Sequence, residues 1–185
     1  DPLNYDATEQ IGAAYAMAKA KGKRWDATVG LRAEHTVQGY TLIFPRDSDP
    51  DGEQRYTDIL PSAHFKYEIH PKGRLHLSYN RSVNRPSFFE IVPYTIINED
   101  YKEKGNPDLE HTVADNIDLR YEFFPKGSEQ VMVGLFYKHL HNPIEYGLIN
   151  EGQDTYYKPM NLGNATNAGV EIDVMKYFKC FGVKA

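Results

Sequence analysis

Apolar and polar residues alternate with period two in segment after segment of this chain. That rhythm confines it to β-structure with one apolar and one wet face. In 62–70 the apolar set is Ala63, Phe65, Tyr67 and Ile69, interleaved with Ser62, His64, Lys66, Glu68 and His70. In 113–123 Val113, Ile117, Leu119, Tyr121 and Phe123 alternate with Ala114, Asn116, Asp118, Arg120 and Glu122; Asp115 breaks the pattern. The same reading gives Ile11, Ala13, Tyr15 and Met17 in 9–18, and Ala27, Val29, Leu31 and Ala33 in 26–35. It gives Leu75, Leu77 and Tyr79 in 75–82, Val131, Val133, Leu135 and Tyr137 in 130–138, and Ala168, Val170, Ile172 and Val174 in 167–176. The expected fold class is therefore all-β: an antiparallel up-and-down meander of about seven to eight strands, each near the ~9–11 residues of a membrane strand. The Ala-rich stretch 12–20 is where a helix competes, and Glu9, Gly12 and the alternation at Tyr15 favour a strand.

The connections alternate in length. Short turns are expected at Lys21-Gly22-Lys23-Arg24, Pro71-Lys72-Gly73-Arg74, Pro125-Lys126-Gly127-Ser128 and around Lys179 to Gly182. Long polar connections are expected at 37–57, 84–110 and 142–164. Trp25, Phe123, Phe124, Tyr177 and Phe178 crowd the strand ends beside the short turns. Short turns on one side, long loops on the other and an aromatic girdle suit a transmembrane β-barrel wall. A soluble antiparallel sandwich also alternates, so both architectures stand on this evidence.

Composition removes other classes. A net charge of −5 with scattered Lys and Arg argues against a nucleic-acid partner. The single Cys180 rules out an internal disulfide. There is no apolar run of the ~18 residues a membrane helix needs, which does not bear on strands that cross a membrane. Fourteen Tyr against one Trp suit places where one end of a ring is apolar and the other wet. No Gly-x-Ser-x-Gly, His-Glu-x-x-His, Cys-x-x-Cys or Gly-rich phosphate loop is present, so no enzyme class is indicated.

Three groups of loop residues add a resemblance. Arg81-Ser82-Val83-Asn84-Arg85-Pro86-Ser87-Phe88-Phe89-Glu90 follows a strand; Gly105-Asn106-Pro107-Asp108-Leu109 precedes the strand carrying Asp118-Leu119-Arg120-Tyr121-Glu122. Then come Phe136-Tyr137-Lys138, Asn142-Pro143-Ile144 and Asn161-Leu162-Gly163-Asn164 before Gly169-Val170-Glu171. In order and spacing these resemble the C-terminal half of the barrel of TonB-dependent outer-membrane receptors, especially the outer-membrane β-barrel family of Bacteroides-like bacteria. The resemblance implies location in the cell outer membrane of a Gram-negative bacterium and contact with outer-membrane lipid. It also implies a plug inside a larger barrel and import of a small-molecule, glycan or chelate ligand driven by the TonB complex. Over 1–185 the chain shows no plug, TonB box, signal peptide or terminal aromatic and is expected to be an excised part of the barrel domain. A soluble sandwich module for glycan or protein ligands is the alternative, and a complete eight-stranded barrel a third reading.

Barrel wall would turn the polar face to the lumen: Glu9, Arg32, Glu34, His64, Lys66, Glu68, Asn80, Asn116, Asp118, Arg120, Glu122, Lys138, Glu171 and Asp173. Ligand would be met by Arg85, Tyr94, Tyr101, Tyr146, Tyr156 and Tyr157 in the long loops, because aromatic faces stack on sugars and chelates and Arg takes carboxylates. Phe88 and Phe89 are read as packing the loop base, and Arg81 and Arg85 also as partners of acidic lumen residues. Asp47, Asp49 and Asp51, with Gly52 and Asp58 at the twelfth place, have the spacing of a calcium loop, against which stand Pro50 and the short Asp58. An exposed acidic loop is the bland reading; no other cofactor is expected. His139 and His141 share a face but lack an evident third metal ligand.

Overall fold

The computed structural model describes residues 3–44, 50–126, 129–178 and 183–184. Strands β1 (Asn4–Lys21), β2 (Trp25–Phe44), β3 (Asp51–His70) and β4 (Gly73–Asn84) come first, followed by a single-turn helix α1 (Phe88–Ile91). Then come β5 (Thr95–Ile97), β6 (Lys102–Lys104), β7 (Thr112–Phe123), β8 (Gln130–His141), β9 (Ile144–Glu151), β10 (Asp154–Asn161) and β11 (Asn164–Met175). Two short strands, β12 (Tyr177–Phe178) and β13 (Val183–Lys184), pair with each other. The expected turn between them, at 179–182, lies outside the described residues, as do Gly127 and Ser128.

Seven strands form one antiparallel sheet in the order β1-β2-β3-β4-β7-β8-β11. These are the seven expected from alternation. Residues paired across neighbouring strands share a face, so the register shows which side chains keep company. One row runs Trp25–Tyr67–Leu75–Tyr121–Val133–Ile172 and the next Ala27–Phe65–Leu77–Leu119–Leu135–Val170. The opposite face carries Asp26–Lys66–His76–Arg120–Gly134–Glu171. The apolar face is left uncovered: Leu31 is 53% and Ile172 70% exposed. A sandwich would bury that face under a second sheet. Here it is a charge-free band, bounded toward the short turns by Trp25, Tyr67, Tyr121 and Phe123.

The register corrects the expectation for β1. Ala13 pairs with Glu34 and Tyr15 with Arg32, so Ile11, Ala13, Tyr15 and Met17 lie on the charged face; Ala14, Ala16, Ala18 and Ala20 complete the apolar one. Both parities of this strand are apolar, so sequence alternation cannot choose between them, and pairing with β2 does. The connection expected at 37–57 is also largely strand, because β2 and β3 run 20 residues each and stay paired from Trp25↔Tyr67 to Thr41↔Asp51. That exceeds the ~11 residues a bilayer requires. The surplus stands on the long-loop side.

The other two long connections fold together. β5, β6, β10 and β9 make a four-stranded sheet, and α1 with the following turn packs on the charged-face side of β2. Ile91, Val92, Tyr94 and Leu109 are buried against Tyr40 and Leu42. Burying each such side chain contributes roughly 1.5–3 kcal/mol, so this small core fixes the 85–111 excursion to the wall. The resembling motifs do structural work here. Glu90 accepts from the Ser87 N–H and hydroxyl (2.7 and 2.9 Å), capping α1. Gly105 passes the backbone of Val92 so closely that a Cβ there would lie 1.8 Å from the Val92 carbonyl oxygen. Asn106 donates its N–H to the Glu90 carbonyl at 2.7 Å and its side chain to the Pro159 carbonyl at 2.9 Å.

Candidate functional site

The four-stranded sheet gathers tyrosines from distant parts of the sequence. Tyr157 on β10 stacks on Tyr146 of β9, with centroids 5.1 Å apart, and meets Tyr101, beside β6, edge-on at 5.7 Å. Tyr101 and Tyr146 are more than a third exposed. Burial first, then the carboxylates of Glu90 and Glu103 and the neighbouring Tyr157, push the Tyr146 hydroxyl up to about 12, so it is a neutral donor at physiological pH. Tyr156, next along β10, points to the other side of the sheet, where the ammonium groups of Lys102 and Lys104 lie 5.8 and 5.2 Å from its ring centroid. Lys102 pairs with Asp154 at 2.5 Å. That hydrogen bond holds the Asp154 carboxyl below its usual range and raises Lys102. The cluster offers ring faces, hydroxyl donors and one salt bridge, which is equipment for binding rather than bond-making.

Two expected ligand contacts are otherwise engaged. Tyr94 is 1% exposed; it lies in the small core, and its hydroxyl donates to Glu103 at 3.1 Å. Burial above all raises that hydroxyl's pKa. Arg85 is held by Glu34 and donates to the Thr36 hydroxyl at 3.2 Å, tying the start of the excursion to β2. Its guanidinium is thus a structural anchor. Phe88 packs against the core, and Phe89 lies 4.8 Å from Tyr94.

At the other end of the excursion His111 meets Asp58 at 2.8 Å and stacks on Tyr56 at 4.1 Å. Asp58 is therefore buried in β3 and paired with a histidine. It stands seven positions along the strand from Asp51, about 23 Å at ~3.3 Å per residue. Asp51 and Asp58 therefore do not reach one ion; Asp47 and Asp49 lie outside the described residues. The physical reason is pairing: residues from Asp51 onward complete the ladder with β2.

All eight principal polar-face residues (Arg32, Glu34, Lys66, Glu68, Asp118, Arg120, Glu122 and Glu171) share one face of the seven-stranded sheet. Arg81 does not join them. It forms a two-pronged pair with Asp115 at 2.9 and 3.0 Å on the opposite face, and Tyr79 donates to the same carboxylate at 2.7 Å. Asp115 thus breaks the alternation where the apolar band ends toward the long loops. His141 lies 3.5 Å from Asp115, and His139 is 4.5 Å from His141 between ring centroids. Arg81 and Tyr79 occupy the carboxylate, and among the described residues no group of three ligands is set for a metal.

Sequence reasoning missed the second sheet and its Lys102–Asp154 pair. Short alternation at Ile144, Tyr146 and Leu148 was the available signal.

Solved structures share this architecture. The siderophore receptor PirA from Pseudomonas aeruginosa superposes with a TM-score of 0.67 at 13% identity over 94% of this chain. The hemophore receptor HasR of Serratia marcescens, in complex with its hemophore HasA and heme, gives 0.74 at 12% over 90%, and the copper transporter OprC 0.75 at 13% over 94%. The chain spans 40, 32 and 27% of those three proteins, respectively. No curated protein matches the chain significantly. The outer membrane protein beta-barrel family matches residues 2–181. Its uncovered apolar band is thus a lipid-facing surface, and the chain belongs to the outer membrane protein β-barrel family as a stretch of barrel wall in the outer membrane.

Proposed function

We propose that this wall is part of a receptor that captures a nutrient ligand outside the cell and imports it with energy from the TonB complex, through a plug domain in the barrel. The observation that carries the reading is the two-faced sheet: a charge-free outer band backed by Arg32, Glu34, Lys66, Glu68, Asp118, Arg120, Glu122 and Glu171. So many charges of both signs fit a wide hydrated lumen or a polar plug, and a narrow barrel cannot pack them. The ligand meets Tyr101, Tyr146, Tyr156 and Tyr157 at the outer end; binding and passage, rather than catalysis, are the activity. Similarity to receptors and transporters for siderophore, heme with hemophore, and copper supports import as the class.

The test is uptake of labelled ferric siderophore, heme and copper by cells with and without the full-length protein, in backgrounds with and without TonB. Uptake of one that needs both supports the proposal. Uptake that needs the protein but survives loss of TonB refutes the coupling, and no protein-dependent uptake of any kind refutes import of these three cargoes.

A further inference from the structure

Every short turn read from the sequence carries Lys or Arg and none carries Asp or Glu, in a chain whose net charge is −5. The described turns show how those cations are held. Arg24 donates its Nε to the Glu68 carbonyl at 2.9 Å and an Nη to the Ile69 carbonyl, with its guanidinium 5.7 Å from the centre of the Tyr67 ring. Lys72 donates to the Pro125 carbonyl at 3.0 Å, and the Phe124 N–H donates to the Lys72 carbonyl at 2.8 Å. These bonds tie neighbouring turns and strand ends together. They end on neutral carbonyls, so each cation is positioned without being neutralised. At the first turn the cations surround a cavity of about 100 Å³. Lys21, Lys23, Arg24 and Lys66 line it against Asp26 and Glu68, and Asp26 is paired with Lys19 at 3.4 Å. Trp25 is part of the same lining, its ring lying so close over Gly22 that no Cβ would fit there. The cavity thus draws on both faces of the sheet, and it stands where the apolar band ends.

We propose that this rim binds anionic glycerophospholipid of the periplasmic leaflet, with the headgroup phosphate at the first turn and the exposed Lys72 and Lys126 extending the cationic edge along the next two. The short turns of outer-membrane barrels lie on the periplasmic side. Trp and Tyr settle at the headgroup level of a bilayer, and Lys and Arg clustered within a Debye length of that surface attract anionic lipid. A peptidoglycan carboxylate would match the charge, but not the indole and phenol rings that border it. The site is independent of which ligand is imported and of whether import requires TonB, so its failure would leave the proposed function standing.

The experiment uses the full-length protein in detergent, offered an equimolar mixture of phosphatidylglycerol and phosphatidylethanolamine, with retained lipid counted by native mass spectrometry. Phosphatidylglycerol should be retained in preference. Lys21→Gln combined with Lys23→Gln should cut that preference about fivefold for each cation removed, the factor implied by ~1 kcal/mol per cation at an anionic surface. Neither side chain takes part in the bonds that tie the turns, so this variant changes charge and leaves them intact. Arg55→Gln, which removes an exposed cation at the long-loop end, should leave the preference unchanged. Equal retention of the two lipids overturns the proposal, as does a preference that the double substitution does not move. Sedimentation with purified peptidoglycan is the second arm: binding there that the double substitution abolishes, without any lipid preference, assigns the rim to the cell wall and overturns the lipid site. Heat-modifiable migration identifies any variant that fails to fold; the retention of the two lipids by the unsubstituted protein decides alone in that case.

Discussion

The molecule contains two sheets made by opposite means. The seven-stranded wall is long, antiparallel and regular, and its stability comes from an unbroken ladder with an apolar face turned to lipid. The four-stranded sheet is short, mixes parallel with antiparallel pairing, and depends on a small core in which Ile91, Tyr94 and Leu109 pack against Tyr40 and Leu42 of β2. In lipid no backbone group can go unpaired, so the wall must be regular. The loop sheet stands in water and can be irregular, and an irregular sheet can hold tyrosines at angles a barrel wall does not offer.

The sharpest way to break this comparison is to damage one sheet and watch the other. Ile91→Ala should destabilise the excursion by about 2–5 kcal/mol. It should open residues 85–111 to protease while leaving heat-modifiable migration of the barrel intact; loss of both together would mean the two sheets are one unit. Leu119→Arg should cost about 2–4 kcal/mol on the lipid face and impair insertion, whereas Asp118→Arg, one residue away on the charged face, should insert normally. Equal behaviour of the two variants would overturn the facing of the wall. Tyr157→Ala removes the ring shared by Tyr146 and Tyr101, a loss of about 0.5–1.5 kcal/mol per aromatic pair; faster hydrogen exchange in β9 and β10, with β8 and β11 unchanged, is expected.

The smallest effect is electrostatic. The Asp154 carboxyl lies below its ordinary 3.8, so the stability it lends the β6–β10 seam is complete above that pH and lost as pH falls through the depressed value. Lys102 is raised above 10.5, so its share is complete below that pH and lost as pH rises through the elevated value. The seam should therefore hold across the neutral range and loosen at both extremes, read as backbone exchange at Tyr156 and Tyr157. A seam equally tight at acid pH would show that the pair contributes nothing.

Several residues mark the limit of what alternation reveals. The segments around Phe65, Leu119 and Leu135 could be assigned to a face from sequence because their two parities differ in chemistry. β1 could not, because Ile11, Ala13 and Tyr15 are as apolar as Ala14 and Ala16, and the register with β2 turns them to the charged face. Tyr94 and Tyr101 look alike as loop tyrosines, yet one is buried in a core and the other exposed. Arg81 and Arg85, four residues apart, pair on opposite sides of the wall, with Asp115 and Glu34. Asp58 has the spacing of a cation ligand but belongs to a strand that pairs it with His111.

Sequence alone determined the seven wall strands, their lateral order as a meander, the side carrying the short turns and the family resemblance. Each of these follows from a local period or from motifs in fixed succession. Tertiary structure decided the second sheet, the aromatic cluster, the buried state of Tyr94 and the anchoring of Arg85. These depend on contacts between residues some 50 positions apart, such as Asn106 with Pro159 and Lys102 with Asp154. A strand's own pattern records which of its faces is apolar, but carries no record of the partner that an exposed loop residue will meet.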